Sequence, residues 1–360
     1  MSQRAHPASA SGPVLTLRPA PVAWGVRPAG LADLPGLHSW LPPGAARDLP
    51  AGDDELWLVA QRGDPADGPG EALAAVRLRQ AIGLDRPRHW YHVGCVVHAA
   101  AQLNLFQRRD ILLLGNDHTG ASELADLCCD AAGLGESQQA LLLRLLLRAA
   151  LLVAASRRRA FTTRLIAELP GQRNDSGASP FWQGLGRHFY GGDPALAEAR
   201  FGAAWRSHLA PLLPRQPVYT AFLPESARAA IAQAGAASRL AADALMETGL
   251  AYAHHVRIDD AGPVLEADLD RLLAALAPRR CQVQIDSPAA AGDAGPDATD
   301  DEGASHRRAA TAAGRRWLLL REDQGGPVVT LHSGRCSARR APGGHPSSAT
   351  SGAWALDLGA

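Results

Sequence analysis

Ile111-Leu-Leu-Leu-Gly-Asn116-Asp117-His118-Thr119-Gly120-Ala-Ser122-Glu123-Leu124 is the stretch that sets the fold class of this chain. Its first four residues form a short apolar run bounded by turn signals, the pattern of a buried central strand, and a dense polar cluster follows at once. Strand ends that feed loops are where α/β proteins place their chemistry. His118, flanked by Asp117, can act as a base, and Glu123 can bind a cation or a proton. The same residues also fit an Asx turn in which Thr119 or Ser122 caps a following helix, and spacing alone leaves both readings open.

Working outward, residues 93–97 repeat the buried-strand pattern, and residues 55–61 and 72–78 read as strands separated by a turn at 63–70. Residues 24–28 read as a short strand and 31–41 as a short helix stopped by Pro42-Pro43. Downstream, residues 140–155 are almost wholly apolar and predict a long helix. Arg144 and Arg148 lie on one side of it, and Arg157 to Arg159 sit in its last turn, where cations suit the helix dipole. A strand at 165–169, helices at 226–234 and 238–248, and a strand at 251–258 complete a mixed α/β pattern, with no repeat of constant period.

The 360 residues carry 36 basic and 36 acidic side chains, and every basic one is arginine. A neutral chain gives no electrostatic argument for a nucleic-acid partner. Without lysine, a Gly-Lys-Ser/Thr phosphate loop, a pyridoxal Schiff base and a lysine general base are all excluded. The abundance of Ala, Gly, Arg and Pro reads as compositional bias, which discounts individual arginines as functional signals. Five cysteines, without a Cys-x-x-Cys pair or zinc-ligand spacing, predict a reduced, cytoplasmic chain that binds no metal, with Cys128 and Cys129 as small apolar residues. Residues 140–155 are shorter than the roughly 20 residues of a membrane span and are cut by two arginines, so no membrane is expected. No secretory signal is expected either. Residues 1–21 read as a disordered lead-in, 22–280 as the folded domain, 287–313 as a low-complexity linker and 314–360 as a weakly ordered tail with strand character at 317–321 and 328–331.

A second cluster runs from Arg164 through Glu168 to Gly171, then Ser179-Pro-Phe-Trp182 and Gly186-Arg187-His188-Phe189. A carboxylate at a strand end with an arginine and a histidine nearby can pair with cationic and anionic groups of a substrate. Equally, the aromatics can be core anchors, and Arg187 can cap helix carbonyls. His254 and His255 are adjacent in a strand and so point to opposite faces, which argues against a metal pair. The acidic turn at Asp259-Asp260 reads as solvated.

Taken in order, these segments resemble the arginine N-succinyltransferase family over roughly residues 22–275. The carrying motifs are Ile82-Gly-Leu84 with Pro87, Val93-Gly94 to His98-Ala99, and NDHTG at 116–120 with Ser122-Glu-Leu124. They continue with Ile166-Ala-Glu-Leu169, SPFW at 179–182 with GRHF at 186–189, Pro214-Arg215 with Pro217 and Tyr219, Leu223-Pro-Glu225, and Gly262-Pro263 with Glu266. The resemblance implies an acyl-CoA N-acyltransferase (GNAT)-like mixed sheet flanked by helices. It also implies transfer of succinyl from succinyl-CoA, as co-substrate, to the α-amine of L-arginine, with no permanently bound cofactor and no metal. It implies Asp117, Glu123 and Glu168 as carboxylate candidates, His118 or His188 as base, Asn116 as a substrate contact, and Arg187 for an anionic group. Gly133, Gly135, Ser137 and Gln138, just before the long helix, fall where family members hold pyrophosphate, but here that stretch has lost its basic residues and Glu136 adds a repelling charge. The resemblance further implies a homo-oligomer or a heterodimer with a homologous subunit. Ornithine or another acyl-CoA are alternative substrates, and a catalytically weak partner subunit is the alternative role.

Overall fold

Among the described residues, which are 14–17, 24–41, 54–130, 132–285, 315–323, 326–337 and 351–358 of a computed structural model, the chain forms fifteen strands and eight α-helices. The strands are β1 (Val14–Leu17), β2 (Trp24–Pro28), β3 (Glu55–Arg62), β4 (Ala72–Arg79), β5 (Trp90–Ala100), β6 (Leu105–Gly115), β7 (Ser122–Cys129), β8 (Arg164–Glu168), β9 (Val218–Tyr219), β10 (Ala251–Arg257), β11 (Pro263–Asp268), β12 (Arg279–Ile285), β13 (Arg315–Asp323), β14 (Gly326–Ser337) and β15 (Ser351–Asp357). The helices are α1 (Leu34–Trp40), α2 (Glu136–Ser156), α3 (Pro180–Gly184), α4 (Pro194–Phe201), α5 (Trp205–Leu209), α6 (Glu225–Ala229), α7 (Arg239–Thr248) and α8 (Leu269–Leu276). They divide between two units. One comprises Pro28–Ala60 and Glu71–Leu273; the other comprises Met1–Arg27, Gln61–Gly70 and Ala274–Ala360. The folded domain expected at 22–280 is therefore shorter at both ends and interrupted at 61–70.

In the first unit the strand order is β3-β4-β7-β8-β11-β10-β5-β6-β9. The β7–β8 pair is parallel, whereas β4–β7, β8–β11, β10–β11, β5–β10, β5–β6 and β6–β9 are antiparallel, making a mixed α/β sheet. The β7–β8 pairing is brief: Ser122 faces Leu165, Glu123 faces Ile166, and β7 then continues to Cys129 without β8. Two parallel strands that part after two paired positions open a wedge, and its unshared edge offers backbone donors and acceptors. On the other edge, β7 bulges against β4: Ala75 pairs with Cys128 and Arg77 with Ala125, and Asp126 takes a φ of 54° in the irregularity. Such bulges re-aim side chains beside functional sites.

The expected long helix is α2. Its leucines and alanines from Leu142 to Ala155 are buried, and it packs on β4, β7 and α7. Length and hydropathy alone would let this helix cross a bilayer; in this unit its apolarity is consumed by the core. Beyond its C-terminus, Arg158 forks onto Asp270 of α8 at 2.6 and 2.8 Å, a specific use of the basic run.

Three expectations are corrected. The runs at 93–97 and 111–114 belong to a hairpin of two eleven-residue strands buried only near its base: β10 pairs with Trp90 to His92, β9 with Ile111 and Leu112, and the far end exposes Val97 and Phe106. No helix follows the NDHTG turn, so Ser122 caps nothing. Its hydroxyl donates to the Gln80 carbonyl at 2.6 Å and also accepts from the Thr162 amide. The lead-in and tail contain strands: β1, β12, β15, β13 and β14 pair in sequence and β14 returns to β1, closing a five-stranded ring around Leu15, Cys281, Val283, Trp317, Leu319, Ala353 and Ala355. Closure leaves no bare edge, which is how segments too short and polar to fold locally become ordered. The expected linker at 287–313 lies outside the described residues.

Candidate active site

The alternation of β4 places Arg77 and Arg79 on one face of a strand whose other residues are mostly apolar, and a buried arginine needs carboxylates. Arg77 binds Asp126 through Nε at 2.8 Å and Glu55 at 3.3 Å, while Arg79 binds Glu55 at 2.9 Å and Glu123 at 2.8 Å. Arg88 then grips both oxygens of Glu123 at 2.8 Å and reaches Glu168 at 2.5 Å. Glu168 also accepts from the Trp90 indole at 2.7 Å and lies 3.8 Å from Arg206. Arg206 binds Asp259 at 3.1 Å and Glu198 at 3.4 Å, and Arg257 closes the run on Asp259 at 2.8 Å and Asp260 at 3.0 Å. Seven carboxylates and five guanidinium groups thus form one continuous network.

This network lines a cleft of about 1460 Å³ in the first unit. Its walls include Leu124 to Cys129 of β7, Glu168 to Pro170 at and after the end of β8, Glu198 and Phe201 of α4, and Ser238, Leu240 and Ala241 at the start of α7. The acidic turn stays close to β8 because two glycines pack backbone on backbone: a Cβ on Gly262 would fall 2.0 Å from the Leu169 carbonyl, and one on Gly171 would fall 2.3 Å from that of Asp260. Asp259 and Asp260 are accordingly buried, which corrects the solvated reading of this turn.

Charge pairing governs ionisation. Burial opposes the charged forms of Glu123 and Glu168, but Arg88 overrides it and holds both carboxyls below the usual carboxylate range, with Arg79 and Arg206 adding their pull. Asp259 is held down in the same way by Arg206 and Arg257. Burial wins at Glu198 and Asp260, whose carboxyls are pushed up. A carboxylate kept ionised by arginine is a poor proton acceptor, so what Glu168 brings to the cleft is its charge and its hold on Arg88 and Trp90.

His118 is buried, with its ring edge-on to Trp90 at 5.0 Å and to His255 at 4.3 Å, and Glu266 lies 3.8 Å from its Nδ1. Neither ring nitrogen has a hydrogen bond, and burial, with His255 and Arg164 beside it, lowers its pKa to about 4. Asp117 pairs with His255 at 3.2 Å rather than with its sequence neighbour His118. His255 and His254 do diverge as expected, His255 joining this cluster and His254 lying by Tyr252.

The structure brings Glu123 and Glu168 to the cleft, with His118 directly behind Trp90. Asn116 is exposed in the turn, where its carbonyl accepts from the Thr119 amide. Arg187 and His188 are not among the residues lining the cleft, which is a correction. Phe181, Trp182 and Leu185 of the preceding segment anchor in the core, so the turn that follows faces solvent, and Arg187 spends its guanidinium on Gln183 at 2.8 Å. Gly133, Gly135, Ser137 and Gln138 lead into and begin α2. Their neighbours Asp130, Ala132 and Gln139 line the cleft, and the Gln138 amide oxygen accepts from the Gly135 backbone. The charge of Glu136 is met by Arg239, the first residue of α7, at 2.9 Å.

Sequence reasoning missed Arg77, Arg79, Arg88, Arg206, Arg257 and Glu198. Discounting arginines as compositional concealed them, although Arg77 and Arg79 at alternate positions in an apolar strand were a usable signal.

The cleft in this mixed α/β sheet is walled by buried ion pairs and reaches Asp130, Ala132 and Gln139 at the start of α2, a lining suited to charged small molecules. The chain belongs to the arginine N-succinyltransferase family. The family described as "Arginine N-succinyltransferase beta subunit" matches residues 66–274. An arginine N-succinyltransferase of Salmonella schwarzengrund (strain CVM19633) is 34% identical over 265 residues, which cover 72% of this chain and 75% of that protein, and the same figures hold for the one of Salmonella agona (strain SL483). A solved structure described as arginine/ornithine succinyltransferase subunit AI from Pseudomonas aeruginosa has a TM-score of 0.67 and 19% identity, covering 94% of this chain and 100% of that one, and shares the fold.

Proposed function

We propose that this chain transfers the succinyl group of succinyl-CoA to the α-amine of L-arginine, on an acyl-CoA N-acyltransferase (GNAT)-like sheet. The observation that carries the reading, given the family, is the wedge between β7 and β8 opening onto the cleft beside the α2 N-terminus. The unshared edge of β7 is suited to hold the pantetheine amides and to turn backbone donors toward the thioester oxygen. The first turn of α2, with Gly135, Ser137 and Gln138, suits the pyrophosphate, and Arg239 supplies there a cation that the α2 stretch itself lacks. Arg79 and Arg88 retain N–H groups beyond those spent on Glu55, Glu123 and Glu168, and these suit the carboxylates of the two substrates.

In the reaction the amine nitrogen forms a bond to the thioester carbon and the C–S bond breaks. One proton leaves nitrogen, and the sulfur departs as the CoA thiol. Positioning supplies much of the rate. His118 is buried behind Trp90 with both ring nitrogens free of hydrogen bonds, and we assign it the proton, with the Asp117–His255 pair beside it. The test is incubation with succinyl-CoA and arginine, with thiol release and the mass of N-succinylarginine as readouts. Stoichiometric appearance of both establishes the reaction, and their absence from folded protein removes it. Ornithine and acetyl-CoA in parallel define acceptor and donor. A homologous partner subunit is supported by the subunit wording of the matched family, and size measurement with and without such a chain tests it.

A further inference from the structure

We propose that Glu198 holds the guanidinium of the acceptor amino acid and thereby sets the preference for a cationic side chain; this rests on the succinyl-transfer reading above.

The buried and half-buried carboxylates of the network differ in how fully their oxygens are used. Glu123 receives three guanidinium N–H groups at 2.8 Å, Glu168 is taken by Arg88 and Trp90, and Asp259 is shared between Arg206 and Arg257. Glu198 has a single contact, Oε1 to Arg206 at 3.4 Å, which is near the limit of a hydrogen bond. Its Oε2 has no partner among the described residues, although the side chain is only 16% exposed and lines the cleft.

The balance of charge points to the same place. Around Arg206 and Arg257 stand Glu198, Asp259 and Asp260, three carboxylates for two cations, with Glu168 beyond Arg206 already claimed by Arg88. Asp260 keeps one oxygen, Oδ2, buried without a partner. Both Glu198 and Asp260 have raised proton affinities because their burial outweighs the pull of Arg206 and Arg257, which the neighbouring carboxylates share. A guanidinium entering beside Glu198 supplies the missing positive charge. It can meet both carboxylate oxygens through two parallel N–H groups, Oε2 being free and Oε1 holding only the long 3.4 Å contact to Arg206, a geometry an ammonium cannot copy.

The surroundings suit an arginine side chain. Phe201, three residues along α4 and so on the same face, also lines the cleft with half of its surface open; its ring already carries the Arg200 guanidinium 5.0 Å from its centroid, so it offers an apolar wall to the methylene stem. Arg206 stands between Glu198 and Glu168, one guanidinium away from each, so a cation at Glu198 reaches toward the Glu168 end of the cleft.

The experiment compares wild type with Glu198→Gln, using arginine and its neutral isostere citrulline, both in turnover and in calorimetric binding. The proposal expects KM for arginine to rise at least tenfold in Glu198→Gln while kcat and the KM for succinyl-CoA change less than threefold. The arginine-to-citrulline preference should collapse toward one. Glu198→Asp should restore part of it. Thermal stability should hold or rise, because an uncompensated charge is removed. If Glu198→Gln keeps the arginine preference, or loses kcat with KM unchanged, Glu198 is not the guanidinium site and the proposal is overturned. Should wild type turn over neither amine yet bind arginine over citrulline only when Glu198 is intact, the succinyl-transfer reading fails and the cation site stands. Absence of any arginine preference in wild-type binding overturns the proposal.

Discussion

His118 shows how one side chain ties stability to pH. Its pKa lies near 4 in the fold against 6.5 for a free imidazole, so between those values the unfolded chain binds a proton that the folded chain refuses. Stability from this group is therefore complete above pH 6.5 and is lost as pH falls toward 4, by about 3 kcal/mol in all. The carboxyls held down by arginine, Glu123, Glu168 and Asp259, keep their share until the pH drops through the ordinary carboxylate range and below. Denaturant titration at successive pH values should show the decline starting above pH 5, and His118→Phe should flatten the portion between 6.5 and 4. A profile unchanged by that substitution would mean that His118 is charged in the fold. Glu168→Gln belongs to the same scale. The substitution weakens the charge-assisted bonds from Arg88 and Trp90 while Arg88 keeps Glu123, at a cost of about 1.5–3 kcal/mol, so both the urea midpoint and turnover should fall, whereas full stability with lost turnover would make Glu168 purely catalytic. Sequence spacing found His118, Glu123 and Glu168 because they sit at strand ends. It could not find that Asp117 pairs with His255, or that Arg79, Arg88 and Arg206 from three segments converge on those carboxylates, since such pairings depend on tertiary register across as many as 138 positions.

At the scale of elements, apolar periodicity located β3 to β6, β8, β10 and α2, because each of these buries a face that the pattern can display, but it did not reveal β7, β9 or β11. It misjudged the β5–β6 hairpin, where apolar residues continue past the point at which neighbouring strands stop. It also overextended the helix expected at 226–234, which α6 ends at Ala229. The start of α2 is where element and function meet. An acidic residue in a first turn stabilises the helix by about 0.3–1 kcal/mol, and Glu136 does so while opposing any phosphate that approaches the same amides. Arg239 of α7 partly cancels that charge across two exposed side chains, and such exposed pairs are worth little to the fold. Their effect should therefore appear in binding. Glu136→Gln should tighten succinyl-CoA by about two- to fivefold, and Arg239→Ala should weaken it by a similar factor, the free-energy equivalents of a single helix-terminal charge. Calorimetry with succinyl-CoA at low and high salt checks both, and the two shifts should shrink together as salt rises. Unchanged affinity in both variants would place the pyrophosphate away from α2.

On the scale of the whole chain, the segments that composition marks as expendable complete a closed sheet. β13, β14 and β15 supply Trp317, Leu319, Ala353 and Ala355 to the same apolar cluster as Leu15 of β1 and Cys281 and Val283 of β12, although some 300 residues separate the ends in sequence. Neither end shows a core of its own, because each supplies one wall of a ring and the low-complexity stretch at 287–313 hides the continuity. A chain ending at Ile285 would strip β1 and β12 of their ladder partners in β14 and β15 and return Leu15, Cys281 and Val283 to water. Burying one large apolar side chain is worth about 1.5–3 kcal/mol, and the loss of three, with two bare strand edges, exceeds what a ring of this size can absorb. Such a truncation should lose the protection of amides in β1 and β12 in hydrogen exchange and become cleavable there by protease. Retained protection in both strands would show that they fold without the ring. The core unit carries every residue lining the cleft, so amides of β7 and α2 should stay protected in the same sample, and their exposure would mean that the ring supports the active-site unit as well as itself.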